Sequence, residues 1–268
     1  MTVGLPKTLT KIYRKTPVSA TLERKLFKAY AKYLRLYVKA RTWYNYDRKN
    51  SANLYPLKLI WINPQEIEYG VNRPELKDVK GTLLPQILDG SWDEELIFNL
   101  DERKRYRSMK QHFEDGLEWT ETEHYKWKKE ILNQNGKVDY GGDIQTEEEL
   151  EQVYARIDEL YQEIKKNGYK TQREIRKKEK IINAQIRPDH YTNELNEVIV
   201  DIGRNGEILF HENRHRFYIS KILGLEKIPV RVLIRHKKWQ EKRNMAIENP
   251  KALSKEKRDH PDIEYLIE

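Results

Sequence analysis

The chain has 268 residues, 38% hydrophobic and 35% charged, with a formal net charge of +8 and no cysteine. That length and apolar content support one domain with an appendage, or two small domains, and exclude a disordered tail. The missing cysteine excludes disulfides, thiolate metal sites and thiol nucleophiles, and the positive charge suits a polyanionic partner such as nucleic acid, a nucleotide or an acidic membrane surface.

No apolar run approaches the ~20 residues that cross a bilayer. The N-terminal MTVGLPKTLTKIYRK has no signal-peptide core, so a cytoplasmic protein is expected. From Leu22 to Val38, Leu22, Leu26, Tyr30, Tyr33 and Tyr37 recur at helical spacing, with Arg24, Lys28, Lys32, Arg35 and Lys39 opposite. This predicts a basic amphipathic helix that either packs on the body with its lysines solvated or lies on phosphates or an anionic membrane. LKLIWI, residues 57 to 62, sits between two prolines and predicts a strand.

GTLLPQILDGSWD, residues 81 to 93, ends in an Asp-Gly turn, where Asp89 and Asp93 either shape the turn or reach a metal or ligand. The spacing Phe113, Gly116, Trp119, Thr122, Tyr125 predicts an aromatic-rich helical region. The clearest helix is 147 to 167, opened by the capping box Thr146 and Glu149 and stopped by Gly168. Thr171 and Glu174 repeat the box ahead of a charged surface helix. Val198 to Ile202 and Glu207 to Phe210 then form a hairpin across Asn205-Gly206, followed by a helix closed by Gly224 and a strand from Ile228 to Ile234. No internal repeat and no low-complexity linker is expected.

Residues 211 to 215, HENRH, carry the letters of the H-E-x-x-H zinc signature. That chemistry needs both imidazoles on one face of a continuous helix. The hairpin turn lies only a few residues upstream, which puts His211 at a strand end and His215 in the first helical turn. A third ligand would have to be recruited ad hoc from a residue such as Glu226, so the metalloprotease reading is rejected.

The stretch ILFHENRHRFYISKILGLEKIPVRVLI instead resembles the conserved block of the ParB/sulfiredoxin superfamily through Glu212, Asn213, Arg214, His215 and Arg216, then Gly224, Leu225, Ile228, Pro229 and Val230. Glu159 to Gln172 is similar to that family's helix-Gly-x-x-Gln element, and Asn63-Pro64 to its early Asn-Pro. From VDIGRNGEILF to Arg235, His236 and Trp239, the chain also looks like a mainly archaeal group of ParB-like proteins. The resemblance covers residues 57 to 93 loosely and 159 to 238 well. Asn213 stands at the family's usual glycine, Arg214 at the sulfiredoxin cysteine, and residues 173 to 195 intervene before the next strand.

The resemblance implies an α/β (α+β) fold with a small mixed sheet and flanking helices. Residues 1 to 54 would be a basic helical segment, 55 to 240 the core with a helical insertion at about 99 to 145, and 241 to 268 a charged tail. It implies ATP or CTP with Mg²⁺ as ligand. Asn213 would form the tight turn, His215 and Arg216 would bind phosphate with Arg214 as a third contact, and Glu212 would serve as general base. The turn opening the helix supports a phosphate site physically, because free amides and the helix dipole converge there. Glu212 is equally suited to pairing with its basic neighbours.

Three functions are weighed: an NTP-dependent phosphotransferase or NTPase; a DNA-binding partition or nuclease-like protein; and a non-catalytic module that binds a polyanion or protein partner. A homodimer is a further expectation to test.

Overall fold

The computed structural model describes residues 20–72, 84–140, 142–178, 196–212 and 214–268, with backbone alone for 20–24, 26–28 and 176–178. It is a mixed α+β fold built on one large sheet. Strand β9 (Ile228–His236) is its axis, buried at all nine positions. Six of its nine residues are apolar because both faces of the sheet are covered, and Arg231, Arg235 and His236 are buried among them. On one edge β9 pairs antiparallel with β1 (Leu59–Ile62) and, further along, parallel with β3 (Gln86–Leu88). On the other edge it runs parallel to β7 (Val198–Ile202), which forms the hairpin with β8 (Ile208–Glu212). Strand β8 is parallel to β2 (Tyr69–Val71), and β4 (Ile97–Asn99) closes that edge.

Alternation along the strands separates two cores. Val198, Val200, Ile202, Phe210, Val230 and Val232 face the larger one, where helix α7 (Arg214–Ile222) contributes Phe217 and Ile219 and helix α5 (Glu147–Asn167) contributes Leu150, Tyr154 and Ile157. Ile199, Leu209, Leu233 and Ile234 face the other, with Val71 and Trp92 of the short helix α2 (Trp92–Glu95). Helix α5 matches the expected bounds, and Thr146 and Glu149 form the reciprocal capping box. The hairpin, helix and strand that follow also fall where expected, with Gly206 at φ 106° and Gly224 at φ 65°.

The helical region expected from Phe113 to Tyr125 is present as two helices, α3 (Lys104–Phe113) and α4 (Glu123–Asn135), separated by a turn at Gly116, φ 76°. Phe113, Trp119 and Tyr125 fill one core across that break, with Phe113 stacked 3.9 Å from Tyr161. Residues 241 to 268 are packed rather than a tail. Helix α8 (Lys237–Glu248) buries Trp239 and Arg243, and the following turns bury Asp262 and Ile263. The buried side of helix α1 (Ala20–Asn45) is Ala31, Leu34, Val38 and Thr42, whereas Tyr33 points to solvent. Leu34 and Val38 form a small core with Leu57 and Leu84, and Tyr30 and Tyr37 pack against its side.

Candidate anion site at the ends of two parallel strands

Strands β2 and β8 lie in parallel register at Gly70 and Phe210, so both chains leave the sheet at the same end. Outside those carboxyl ends, where open α/β sheets bind ligands, lies a cavity of about 480 Å³. Val71, Asn72, Phe210 and His211 border it, Arg103 reaches it from the residue before α3, and helices α3, α4 and α7 supply Arg105, Lys128 and Arg214. None of these four cations makes an ion pair among the described residues; the nearby Lys104, by contrast, pairs with Glu123 at 3.2 Å.

What holds the cations in place is neutral. The Arg103 guanidinium lies over the Phe98 ring at 3.4 Å and donates to Asn72 Oδ1 at 2.8 Å. Arg105 lies over Tyr140 at 4.4 Å and donates through Nε to His124 Nε2 at 3.2 Å, with Nη1 3.5 Å from His215 Nε2. Lys128 donates to the Asp139 carbonyl at 3.0 Å. Because arginine is donor-only, both imidazoles accept from Arg105 and must be neutral. With Nε2 accepting, His124 donates through Nδ1 to Tyr154 Oη at 2.7 Å. Burial, reinforced by Arg105 and Lys128, pushes His124 down to about 2. Burial, with Arg105 and Arg214, pushes His215 down to about 3. Burial lowers Arg105 and Lys128 as well, and Arg214 lowers both further. These groups repel one another, and an anion in the cavity would relieve the repulsion.

His211 borders the same cavity. Its Nδ1 is 2.8 Å from Oδ2 of Asp201, a side chain with no solvent exposure. The Asp201 Oδ1 accepts the Ile234 N–H at 3.0 Å, so the carboxylate acts as acceptor and the imidazole donates through Nδ1. In the neutral ring Nε2 is then the basic nitrogen. A buried carboxylate that fixes a histidine tautomer beside a cluster of cations is the arrangement of a general base.

The expected site residues are divided by the structure. His211 is on the strand and His215 in the first turn of α7, as the sequence implies for a chain that is not a zinc helix. Glu212, Arg214, His215 and Arg216 border a second, more open cavity of about 340 Å³, with Gln172 and Asn196. Only Arg214 of that set also reaches the larger cavity. Arg216 lies over Tyr169 at 4.2 Å, donates to its hydroxyl at 3.0 Å and also donates to the Lys170 carbonyl. It therefore ties α7 to the turn after α5. His215 positions Arg105 rather than offering a cationic phosphate contact. Glu212 interacts with the wholly buried Arg231, whose value burial pushes down to about 10 against the pull of Glu212 and Asp201. Asn213 lies outside the described residues, and so do the side chains of Arg24 and Lys28. Lys32 and Lys39 are exposed on α1, and Arg35 is half-buried. Asp89 caps the Gly90 N–H and pairs with Lys237, and Asp93 holds Arg204, so both are structural.

Arg103, Arg105, His124 and Lys128 escaped sequence reasoning because they belong to the insertion, for which no motif exists. The Asp201–His211 pair did carry a signal. Across an Asn-Gly hairpin, Asp201 opposes Leu209, so a residue two further along β8 shares its face as a diagonal neighbour.

Comparison of the chain with protein-family models, curated proteins and solved structures finds no match.

Proposed function

We propose that the protein is a nucleotide-binding enzyme of ParB/sulfiredoxin type that transfers or hydrolyses the terminal phosphoryl group of ATP or CTP in the cavity beyond β2 and β8. The observation that carries this is the group of Arg103, Arg105, Lys128 and Arg214, without carboxylate partners among the described residues, around a cavity that His211 also borders. A volume of about 480 Å³ suits a nucleoside triphosphate, and Trp127, Phe98 and Tyr218 give the wall an aromatic part beside the cationic one. Among the described residues no three His, Asp or Glu side chains are grouped to hold a metal. Mg²⁺ would therefore travel on the phosphates, with Glu102 the acidic residue in the cavity lining.

In this scheme His211 Nε2 takes the proton of the attacking water or acceptor hydroxyl. Its oxygen forms the new bond to the terminal phosphorus as the bond to the leaving diphosphate breaks. The four cations stabilise the charge spread over the phosphoryl oxygens. Relative to the motif-based expectation, the base is His211 rather than Glu212, and the phosphate contacts come from the insertion together with Arg214.

The test is calorimetric titration with ATP, CTP, GTP and pyrophosphate plus Mg²⁺. Arg214→Ala or Lys128→Met should weaken binding at least tenfold. Arg216→Ala should lower the melting temperature and leave affinity unchanged. Absence of binding by every phosphate ligand, or loss confined to Arg216→Ala, would overturn the assignment. Salt-dependent DNA retention without nucleotide binding would favour the partition-like reading.

A further inference from the structure

Helix α1 presents a second apolar face that no described residue covers. Tyr33, Leu36 and Trp43 are 61%, 59% and 58% exposed, and Ala29 and Ala40 lie exposed on the same stripe. In sequence the stripe is Leu22, Leu26, Ala29, Tyr33, Leu36, Ala40 and Trp43, separated alternately by four and three residues over three heptads. Tyr30 and Tyr37, which flank this seven-residue repeat, mask it in the sequence. It is the a/d seam of a coiled coil, narrower than the apolar sector of a helix that lies on lipid.

The two flanks of the seam differ. On the e side stand Tyr30, Tyr37 and Tyr44; Tyr30 and Tyr37 pack toward the body with Leu34 and Val38. On the g side stand Lys25, Lys32 and Lys39, all exposed. In sequence the helix carries seven cations, Arg24, Lys25, Lys28, Lys32, Arg35, Lys39 and Arg41, and one carboxylate, Glu23.

We propose that this face docks an acidic amphipathic helix of another protein, with the partner's apolar residues in the seam and its carboxylates along the lysine row. Charge complementarity selects that occupant. A second copy packed antiparallel sets one lysine row against the other, and a parallel copy brings seven further cations with no carboxylate to meet Lys25, Lys32 or Lys39. The inference is independent of the nucleotide site.

The probe is a synthetic acidic heptad peptide with Leu at a and d and Glu at e and g, titrated into the full-length chain beside a lysine counterpart of equal length. The acidic peptide should gain helicity and bind with micromolar affinity that falls at least tenfold from low to high salt. The lysine peptide should not bind. Tyr33→Ser with Leu36→Ser should abolish binding without lowering the melting temperature, because both side chains are solvent-facing. Equal binding of both peptides, or binding that survives this double variant, would overturn the proposal. So would sedimentation of the free chain as a dimer, or retention on phosphatidylglycerol vesicles, if either is abolished by the same variant; the seam would then belong to a second copy or to lipid.

Discussion

Asp201 and His211 face each other across the β7–β8 hairpin at 2.8 Å, and the same aspartate secures the Ile234 amide on β9. One buried carboxylate thus fixes both a strand register and the tautomer of the ring beside the cationic cavity. If His211 is the base, Asp201→Asn and His211→Gln should lower nucleotide turnover by roughly 10²- to 10⁴-fold while leaving the dissociation constant of the Mg²⁺ nucleotide within about threefold. Phosphate release paired with calorimetry separates the two effects. A parallel loss of affinity would give the pair a purely structural role.

The two neutral histidines set a pH dependence of stability. His124 is held at about 2 and His215 at about 3, both below the unfolded value of about 6.5. As pH falls through 6.5 the unfolded chain takes up protons that the folded chain refuses, so stability falls. The slope is about 1.4 kcal/mol per pH unit for each histidine, present between the unfolded and folded values. Urea unfolding at pH 7.5, 6.5, 5.5 and 5.0 should give a flat upper limb and a steep lower one. The lower limb should be shallower in His215→Gln.

Most of the scaffold is legible in the sequence, and the reason lies in local chemistry. Thr146, Glu149 and Gly168 mark the ends of α5 because caps and stops are satisfied within a few residues, and Asn205-Gly206 fixes a hairpin by backbone preference alone. The site is less legible because its donors come from distant elements. Arg105 has meaning only once Tyr140 supports it and His124 and His215 accept from it. Arg216 shows the converse: its place in a phosphate-like motif is plain in the sequence, but Tyr169 and the Lys170 carbonyl engage its guanidinium. The packed C-terminal segment reads as a charged tail because its anchor is a buried ion network rather than an apolar stripe.

That network makes a strong stability prediction. Asp262 accepts from Arg235 Nε at 2.8 Å and Trp239 Nε1 at 2.9 Å, with Arg243 Nε at 3.2 Å. Burial alone would raise its carboxyl, but Arg235 and Arg243 overcome this and hold it well below the usual range. Asp262→Asn leaves two buried guanidiniums without their counter-ion and should cost about 3 to 5 kcal/mol. At about 2 to 4 °C per kcal/mol, the melting temperature should drop by roughly 10 °C. A change under about 2 °C would mean that the segment contributes little to the fold.

Gly206 is where the hairpin meets that segment. Its φ of 106° lies in the left-handed region, and a Cβ there would come within 2.7 Å of the Trp239 ring, which is itself fully buried and cannot withdraw. Gly206→Ala therefore combines backbone strain with a clash, and about 2 to 4 kcal/mol of destabilisation is expected. Gly116 is the control: its φ of 76° imposes the strain, but nothing stands within 4 Å of a Cβ. Gly116→Ala should cost only about 1 kcal/mol. Denaturant midpoints of the two variants, measured side by side, isolate the contact of the turn with Trp239. Equal losses would show that backbone strain alone requires glycine at position 206.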